Sequence, residues 1–191
     1  MQKQLFDIEA ILITQRTVTR RFKEQDGELL FQFIQNNRER MEDRFSELAG
    51  IHSAEEATAF IHRKLAEWYL QERFSFAVWD NESANIIGYI ELNRLDWSIP
   101  KSEALLLIDR KFEGQGIMTE VVLKMLFFAF EQVRLKKLNL IIAADNYAAQ
   151  RLARKAGFRR EGDLRNELKK SGGELSDAMV LGLTDQDYFK V

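Results

Sequence analysis

Two glycines one residue apart, Gly114 and Gly116, lie between the apolar run Ala104-Leu105-Leu106-Leu107-Ile108 and a helical pattern that begins at Ile117. Neither carries a Cβ, so the backbone at Glu113-Gly114-Gln115-Gly116 can turn tightly and approach a ligand closely. The order strand, glycine turn, helix start leaves the N–H groups of Gln115, Gly116, Ile117, Met118 and Thr119 facing outward. The first N–H groups of a helix lack intrahelical partners, and the helix dipole adds about half a positive charge there. An anion fits, and the expectation is a pyrophosphate cradle. Taken alone, a Gly-x-Gly pair reads equally well as a plain turn. A dinucleotide fingerprint would place a third glycine where Thr119 stands and an acidic residue about twenty positions on. The chain has Lys136, Lys137 and Leu138 in that region instead. A P-loop would continue with Gly-Lys-Ser/Thr, whereas Ile117 and Met118 follow Gly116.

The 191 residues suit one domain with a single sizeable core. Basic and acidic residues nearly cancel, 28 against 30, so the total gives no sign of a nucleic-acid-binding face. With no cysteine there is no disulfide, thiol nucleophile or thiolate metal site. His52 and His62 stand without an accompanying ligand motif and read as surface or capping residues, so no metal is expected. Residues 1–7 lack the apolar core of a signal peptide, and no window reaches the roughly 18 apolar residues of a membrane span. The cytoplasm is the expected location.

Along the chain, residues 11–22 alternate partly between apolar and polar and read as a first strand. Residues 25–45 follow helical spacing as one or two amphipathic helices, with the charges at 38–44 as a solvated face. Ser53-Ala54-Glu55-Glu56 is a capping box opening a helix that runs to about residue 72. Residues 74–80 and 86–92 form a hairpin, residues 93–102 a turn region, and residues 103–108 the strand that enters the glycine turn. The helix from 117 to about 134 is apolar on nearly every side, including Leu123 and Phe127. It is therefore expected to be covered on both sides, by another element or by a second copy of the chain in a homodimer. Residues 138–144 read as a buried strand, then Asp145 or Asn146 caps a short helix that Gly157 ends. Residues 158–169 and 174–183 form a last hairpin.

Two blocks carry a family resemblance. Phe112-Glu113-Gly114-Gln115-Gly116-Ile117-Met118-Thr119-Glu120 looks like the Q/R-x-x-G-x-G/A acetyl-CoA motif of the GNAT acetyltransferases, with Lys111 in the Gln/Arg position. Asn146-Tyr147-Ala148-Ala149, followed by Gly157-Phe158-Arg159-Arg160-Glu161-Gly162, is similar to the family's N-x-x-S/A...G-F-x-x-E-G. With Gly88 to Trp97 and Ser102-Glu103, they look most like the RimJ/RimL branch, whose members acetylate the N-terminal amine of ribosomal proteins. The resemblance implies an α/β (α+β) GNAT fold. Its mixed, mostly antiparallel sheet has about seven strands flanked by helices and splays between the fourth and fifth. It also implies acetyl-CoA as co-substrate and a primary amine as acceptor, with no metal.

On that reading, unpaired backbone groups near Leu107 and Ile108 hold the pantetheine arm like an added strand, and one N–H polarises the thioester carbonyl. The pyrophosphate lies on Gly114 to Thr119, with Glu113 among the cofactor-binding residues beside it. Asn146 and Ala149 flank the arm from the other side, although Asn146 reads equally well as a helix cap. Glu103 is the candidate base, acting directly or through a water, with Glu91 in reserve; the plain alternative for Glu103 is a strand-end ion pair.

The chain departs from the family pattern at several points. Ala149 stands where the branch often has serine, and Ala153 where many members have a tyrosine that protonates the leaving thiolate. Leu106 and Leu107 replace Tyr-Trp, and Leu168 falls where the last hairpin usually carries a carboxylate, unless Glu167 takes that place. A catalytically silent acyl-CoA-binding module is the alternative these losses leave open. A polyamine or aminoglycoside acceptor would call for an acidic pocket built from Glu39, Glu42, Asp43 and Glu47.

Overall fold

A computed structural model describes residues 10–190. The N-terminal residues 1–7, read above as lacking a leader's apolar core, lie outside the described residues. Among the described residues eight strands form one sheet in the order β1-β2-β3-β4-β5-β6-β8-β7. They are β1 Ile11–Ile13, β2 Thr17–Arg21, β3 Phe74–Asp80, β4 Ile86–Asp96, β5 Lys101–Ile108, β6 Lys137–Ala143, β7 Arg159–Lys169 and β8 Leu175–Thr184. The strand more than expected arises because residues 11–22 are a hairpin rather than one strand. The Thr14 hydroxyl accepts from the N–H groups of Arg16 (3.2 Å) and Thr17 (2.9 Å), so a side chain supplies the turn bonds that reverse the chain. The predicted turn region at 93–102 is likewise shorter, since β4 and β5 pair on to Asp96 and Lys101.

Among the described residues six α-helices surround the sheet: α1 Gly27–Met41, α2 Ser46–Ala49, α3 Ala54–Tyr69, α4 Ile117–Phe127, α5 Tyr147–Lys155 and α6 Asp185–Tyr188. Alternation along the strands feeds two cores. Phe76 and Val78 face the layer of α4 and α5, whereas Ala77 and Trp79 face α1 to α3. Trp68, Phe74, Phe76 and Phe128 lock the first core with edge-on rings, Phe76 and Phe128 lying 5.0 Å apart at 87°.

The α3 cap forms as expected at Ser53, whose hydroxyl accepts from Glu56 N–H, but the Glu56 carboxylate returns its bond one residue earlier, to His52 N–H. Helix α4 continues into a wider turn, Phe128–Gln132, rather than running regularly to 134. Its outer residues Leu123 and Phe127 are 51% and 41% exposed, so no element among the described residues covers that side.

The sheet opens where the pairing of β5 and β6, the only parallel pair among the described residues, ends. Strands β5 and β6 pair through Lys101↔Lys137, Ser102↔Leu138 and Glu103↔Asn139, and no further. Beyond Glu103, β5 stays on β4 as far as Ile108 while β6 stays on β8 as far as Ala143. Each strand is held on its outer side, and the two diverge into a fork. This is the splay expected after the glycine-bearing strand, one place later in the count because of the extra N-terminal strand.

Candidate active site

A cleft of about 1170 Å³ fills the fork and extends over the glycine turn to α5. Its floor follows from the β4–β5 ladder. Asp109 N–H donates to Ile87 C=O at 2.7 Å, and the register Gly88↔Ile108, Tyr89↔Leu107 and Ile90↔Leu106 is unbroken. Antiparallel pairs alternate in hydrogen bonding, so Leu107 spends its N–H and C=O on β4, while Ala104, Leu106 and Ile108 turn theirs toward the fork. The Ile108 carbonyl is already taken by Arg40 Nη1 at 2.8 Å. Ala104 N–H is used by the Glu103↔Asn139 bridge to β6, so among the described residues the free donors on this edge are Leu106 and Ile108, a refinement of the expected pair Leu107 and Ile108; all three residues line the cleft.

Past Ile108 the chain is pinned before it turns. The Asp109 carboxylate is buried, accepts from Lys111 N–H (2.9 Å) and is met by the Asn37 amide of α1 (3.1 Å). Gly114 and Gly116 then take φ of +72° and +79°, the left-handed region where a side chain is strained. Nothing approaches within 4 Å of a Cβ built on Gly114, and only Arg16 Nη2 (3.7 Å) meets one on Gly116. Among the described residues the N–H groups of Gln115, Gly116, Ile117 and Met118 have no acceptor. Thr119 N–H, expected to be free, donates to Gly116 C=O at 3.1 Å and starts α4. Glu113, Gly114, Gly116, Ile117, Met118 and Thr119 line the cleft. Gln115 does not, its amide bonding to Lys111 C=O.

Across the fork, Asn146 caps α5 by accepting from Ala149 N–H at 3.0 Å, which settles the choice between Asp145 and Asn146. Both Asn146 and Ala149 line the cleft, and among the described residues the Asn146 amide N–H₂ has no hydrogen-bond acceptor. The β7–β8 turn reaches over this end: Lys170 pairs with Asp145 at 3.0 Å, and Ser171 N–H donates to Asp43.

At the apex of the fork stands a residue that no motif indicated. Arg44 donates Nη1 to Ile141 C=O on β6 (3.0 Å) and Nη2 to Glu103 Oε1 on β5 (3.2 Å), tying the diverging strands together. Burial pulls its guanidinium below the usual arginine range, and the Glu103 carboxylate opposes that shift. Glu103 is 7% exposed, and its second oxygen accepts from Arg94 at 3.0 Å. A carboxylate has about four lone-pair sites, so two arginines leave it able to accept from a water or an amine. Replacing Arg44 with leucine removes the Ile141 carbonyl's donor and one of the two that hold Glu103. The expected loss is about 2 kcal/mol of unfolding free energy, measured by urea titration; an unchanged midpoint would mean that the outer ladders alone hold the fork.

Glu91 sits elsewhere. It is buried on β4 with the Tyr89 hydroxyl at 2.6 Å and Lys64 Nζ at 3.0 Å, away from the fork; like Glu103 it does not itself line the cleft, but Glu103 adjoins the lining residues Arg44 and Ala104. Burial pushes its carboxyl up, but the Tyr89 bond and the Lys64 charge outweigh it and hold Glu91 below the usual carboxylate range. The same neighbourhood pushes the Tyr89 phenol well above its ordinary value, through burial first and the Glu91 charge second.

The charge run at 38–44, expected to be a solvated face, turns partly inward. Arg38 bonds to the carbonyls of Ala49 and Ile51, Arg40 to Ile108 C=O and Glu113, and Arg44 to the fork. Helical spacing gave no sign of this, because these arginines satisfy main-chain carbonyls brought in from distant parts of the chain.

The family model described as an Acetyltransferase (GNAT) domain matches residues 16–159. The chain belongs to that family and is an acetyl-CoA-dependent N-acetyltransferase. It is 26% identical over 162 residues to the uncharacterized N-acetyltransferase YoaA of Bacillus subtilis (strain 168), covering 85% of this chain and 90% of the relative. Over 88 residues it is 30% identical to the spermidine N(1)-acetyltransferase of Escherichia coli (strain K12), 46% of each chain. Among solved structures, the ribosomal L7/L12 alpha-N-protein acetyltransferase RimL in complex with coenzyme A superposes with a TM-score of 0.82 at 16% identity. That match spans 92% of this chain and 98% of the other. Among the described residues no helix is long and apolar enough to cross a membrane.

Proposed function

We propose that the chain transfers an acetyl group from acetyl-CoA to the α-amine of a protein N-terminus. The observation that carries this choice of acceptor is the charge around the cleft. Of the four acidic residues that a polyamine pocket would have used, only Asp43 lines it, and the Ser171 N–H is bonded to its carboxylate. Glu47 is turned to Arg63, Lys64 and Arg73, while Glu39 and Glu42 lie on the exposed side of the α1 end. Arg40, Arg44, Arg151, Lys155, Lys169 and Lys170 line the cleft against Asp43, Glu113 and Asp145, a balance that repels a polycation. An α-amine with a pKa of about 8 also needs less help to become neutral than a lysine at about 10.4.

In this reading acetyl-CoA supplies an activated thioester. The diphosphate rests on the free N–H groups of Gly116, Ile117 and Met118, and the pantetheine lies along the open edge of β5. The N–H of Leu106 or Ile108 faces the fork and stabilises charge developing on the thioester oxygen. Asn146 and Ala149 bound the arm opposite. Glu103, held at the apex by Arg44 and Arg94, takes the proton of the attacking amine directly or through a water.

With Ala149 and Ala153 in place of serine and tyrosine, the thiolate leaves unprotonated, which a thiol pKa of about 8.5 permits at modest cost. Acetylation of a panel of short peptides beside spermidine tests the acceptor. Peptide α-amines are expected to react with the higher kcat/KM, and preferential turnover of spermidine would transfer the assignment to polyamines. No thiol release with any amine would leave the silent acyl-CoA-binding module.

A further inference from the structure

The β1–β2 hairpin sends one side chain to the glycine turn a hundred residues away. Arg16 Nη1 donates to Gln115 C=O at 2.9 Å, and Nη2 meets Glu120 Oε1 at 2.6 Å. Its base is equally fixed, since Arg16 N–H donates to the Thr14 hydroxyl and Arg16 C=O accepts from Asn81 N–H at 3.0 Å. We infer that Arg16 is a positioning residue for the diphosphate of acetyl-CoA: it sets the direction of a cradle N–H and neutralises the carboxylate beside it. This role rests on the acetyl-CoA cradle assigned above.

The geometry supplies both parts. In a planar trans peptide the C=O and the following N–H point in opposite directions. Holding the Gln115 oxygen on the hairpin side therefore turns the Gly116 N–H away from the hairpin, and Gly116 itself lines the cleft. Glycine at φ +79° has a soft backbone, so without this bond the peptide could rotate and withdraw the donor.

The second part concerns Glu120, in the first turn of α4. A carboxylate there benefits from the same helix dipole that the diphosphate would use, and opposes a second anion. One of its oxygens, Oε2, is buried with no hydrogen-bond partner among the described residues, and the other, on a side chain 38% exposed, pairs with Arg16, whose charge opposes its own. The guanidinium is committed to these two partners, and it acts through the loop rather than by contact with the phosphates.

The test compares two acetyl donors. Acetyl-CoA carries the diphosphate, whereas acetyl-pantetheine has the same thioester and arm without it. The ratio of their kcat/KM values cancels any general loss of folded protein or of catalysis. In R16A the ratio is expected to fall about tenfold from wild type, with the loss in the KM for acetyl-CoA. In R16K, which keeps the charge but not the two-pronged contact, it falls by a smaller factor, and adding E120Q to R16A recovers part of the loss. A ratio unchanged in R16A would overturn the role of Arg16 alone. A wild-type chain that shows no binding of coenzyme A in calorimetry would instead remove the cradle, and this role with it.

Discussion

Replacing Gly116 with tryptophan is expected to abolish acetyl-CoA binding, raising the dissociation constant at least about 100-fold, while Gly116→Ala produces a much smaller change. Two effects separate in this pair. Any L-residue at φ +79° pays the left-handed strain, about 1–2 kcal/mol, and both variants share it. Only the indole also occupies the space above the turn, where nothing but Arg16 lies within 4 Å of a built Cβ. Calorimetric titration of both variants, with thermal melts to confirm folding, makes the comparison. Equal affinities in the tryptophan variant and wild type would place the diphosphate somewhere other than on this turn.

The second large effect is expected at the apex. Glu103→Gln keeps the shape and one acceptor for Arg44 or Arg94 but removes the base proposed above, so kcat should fall about 100-fold. The KM for acetyl-CoA should change little, since Glu103 lies outside the lining of the coenzyme cleft. A structural loss would affect every acceptor alike, whereas a lost base matters less as the acceptor's own pKa falls. The defect should therefore shrink across a series of amines of decreasing basicity and nearly vanish for one already neutral at the assay pH. A uniform defect, or none, would reassign Glu103 to the ion pairs with Arg44 and Arg94.

Local chemistry made much of this site legible from the sequence. The glycines at 114 and 116 announced a tight turn because neither carries a Cβ, and both take left-handed φ there. Asp145-Asn146 announced a cap at one of its two residues, and the apolar runs at 104–108 and 138–144 announced the strands on either side of the fork. What stayed hidden rests on a side-chain-built turn and on partners distant in sequence. Residues 11–22 kept their alternation through the reversal, so periodicity could not show that the Thr14 hydroxyl splits them into a hairpin.

The arginines were harder still. Arg16, Arg40 and Arg44 look like surface charges in any window of ten residues, and their acceptors are the carbonyls of Gln115, Ile108 and Ile141. A planar guanidinium suits this work, because it can hold a main-chain carbonyl and a carboxylate at once. The direction of the β5 backbone groups was also invisible. It turns on a one-residue register that assigns Leu107 to β4 and leaves Leu106 and Ile108 facing the fork.

The fork itself is the central claim: β5 and β6 part beyond Glu103 to receive the pantetheine arm, with the diphosphate on the free N–H groups ahead of α4. A crystal structure of the chain grown with coenzyme A tests it most directly. The account predicts diphosphate oxygens within hydrogen-bonding distance of the Gly116, Ile117 and Met118 N–H groups and the thiol end lying toward Glu103. Coenzyme bound at another surface, with the fork closed by side chains, would contradict it.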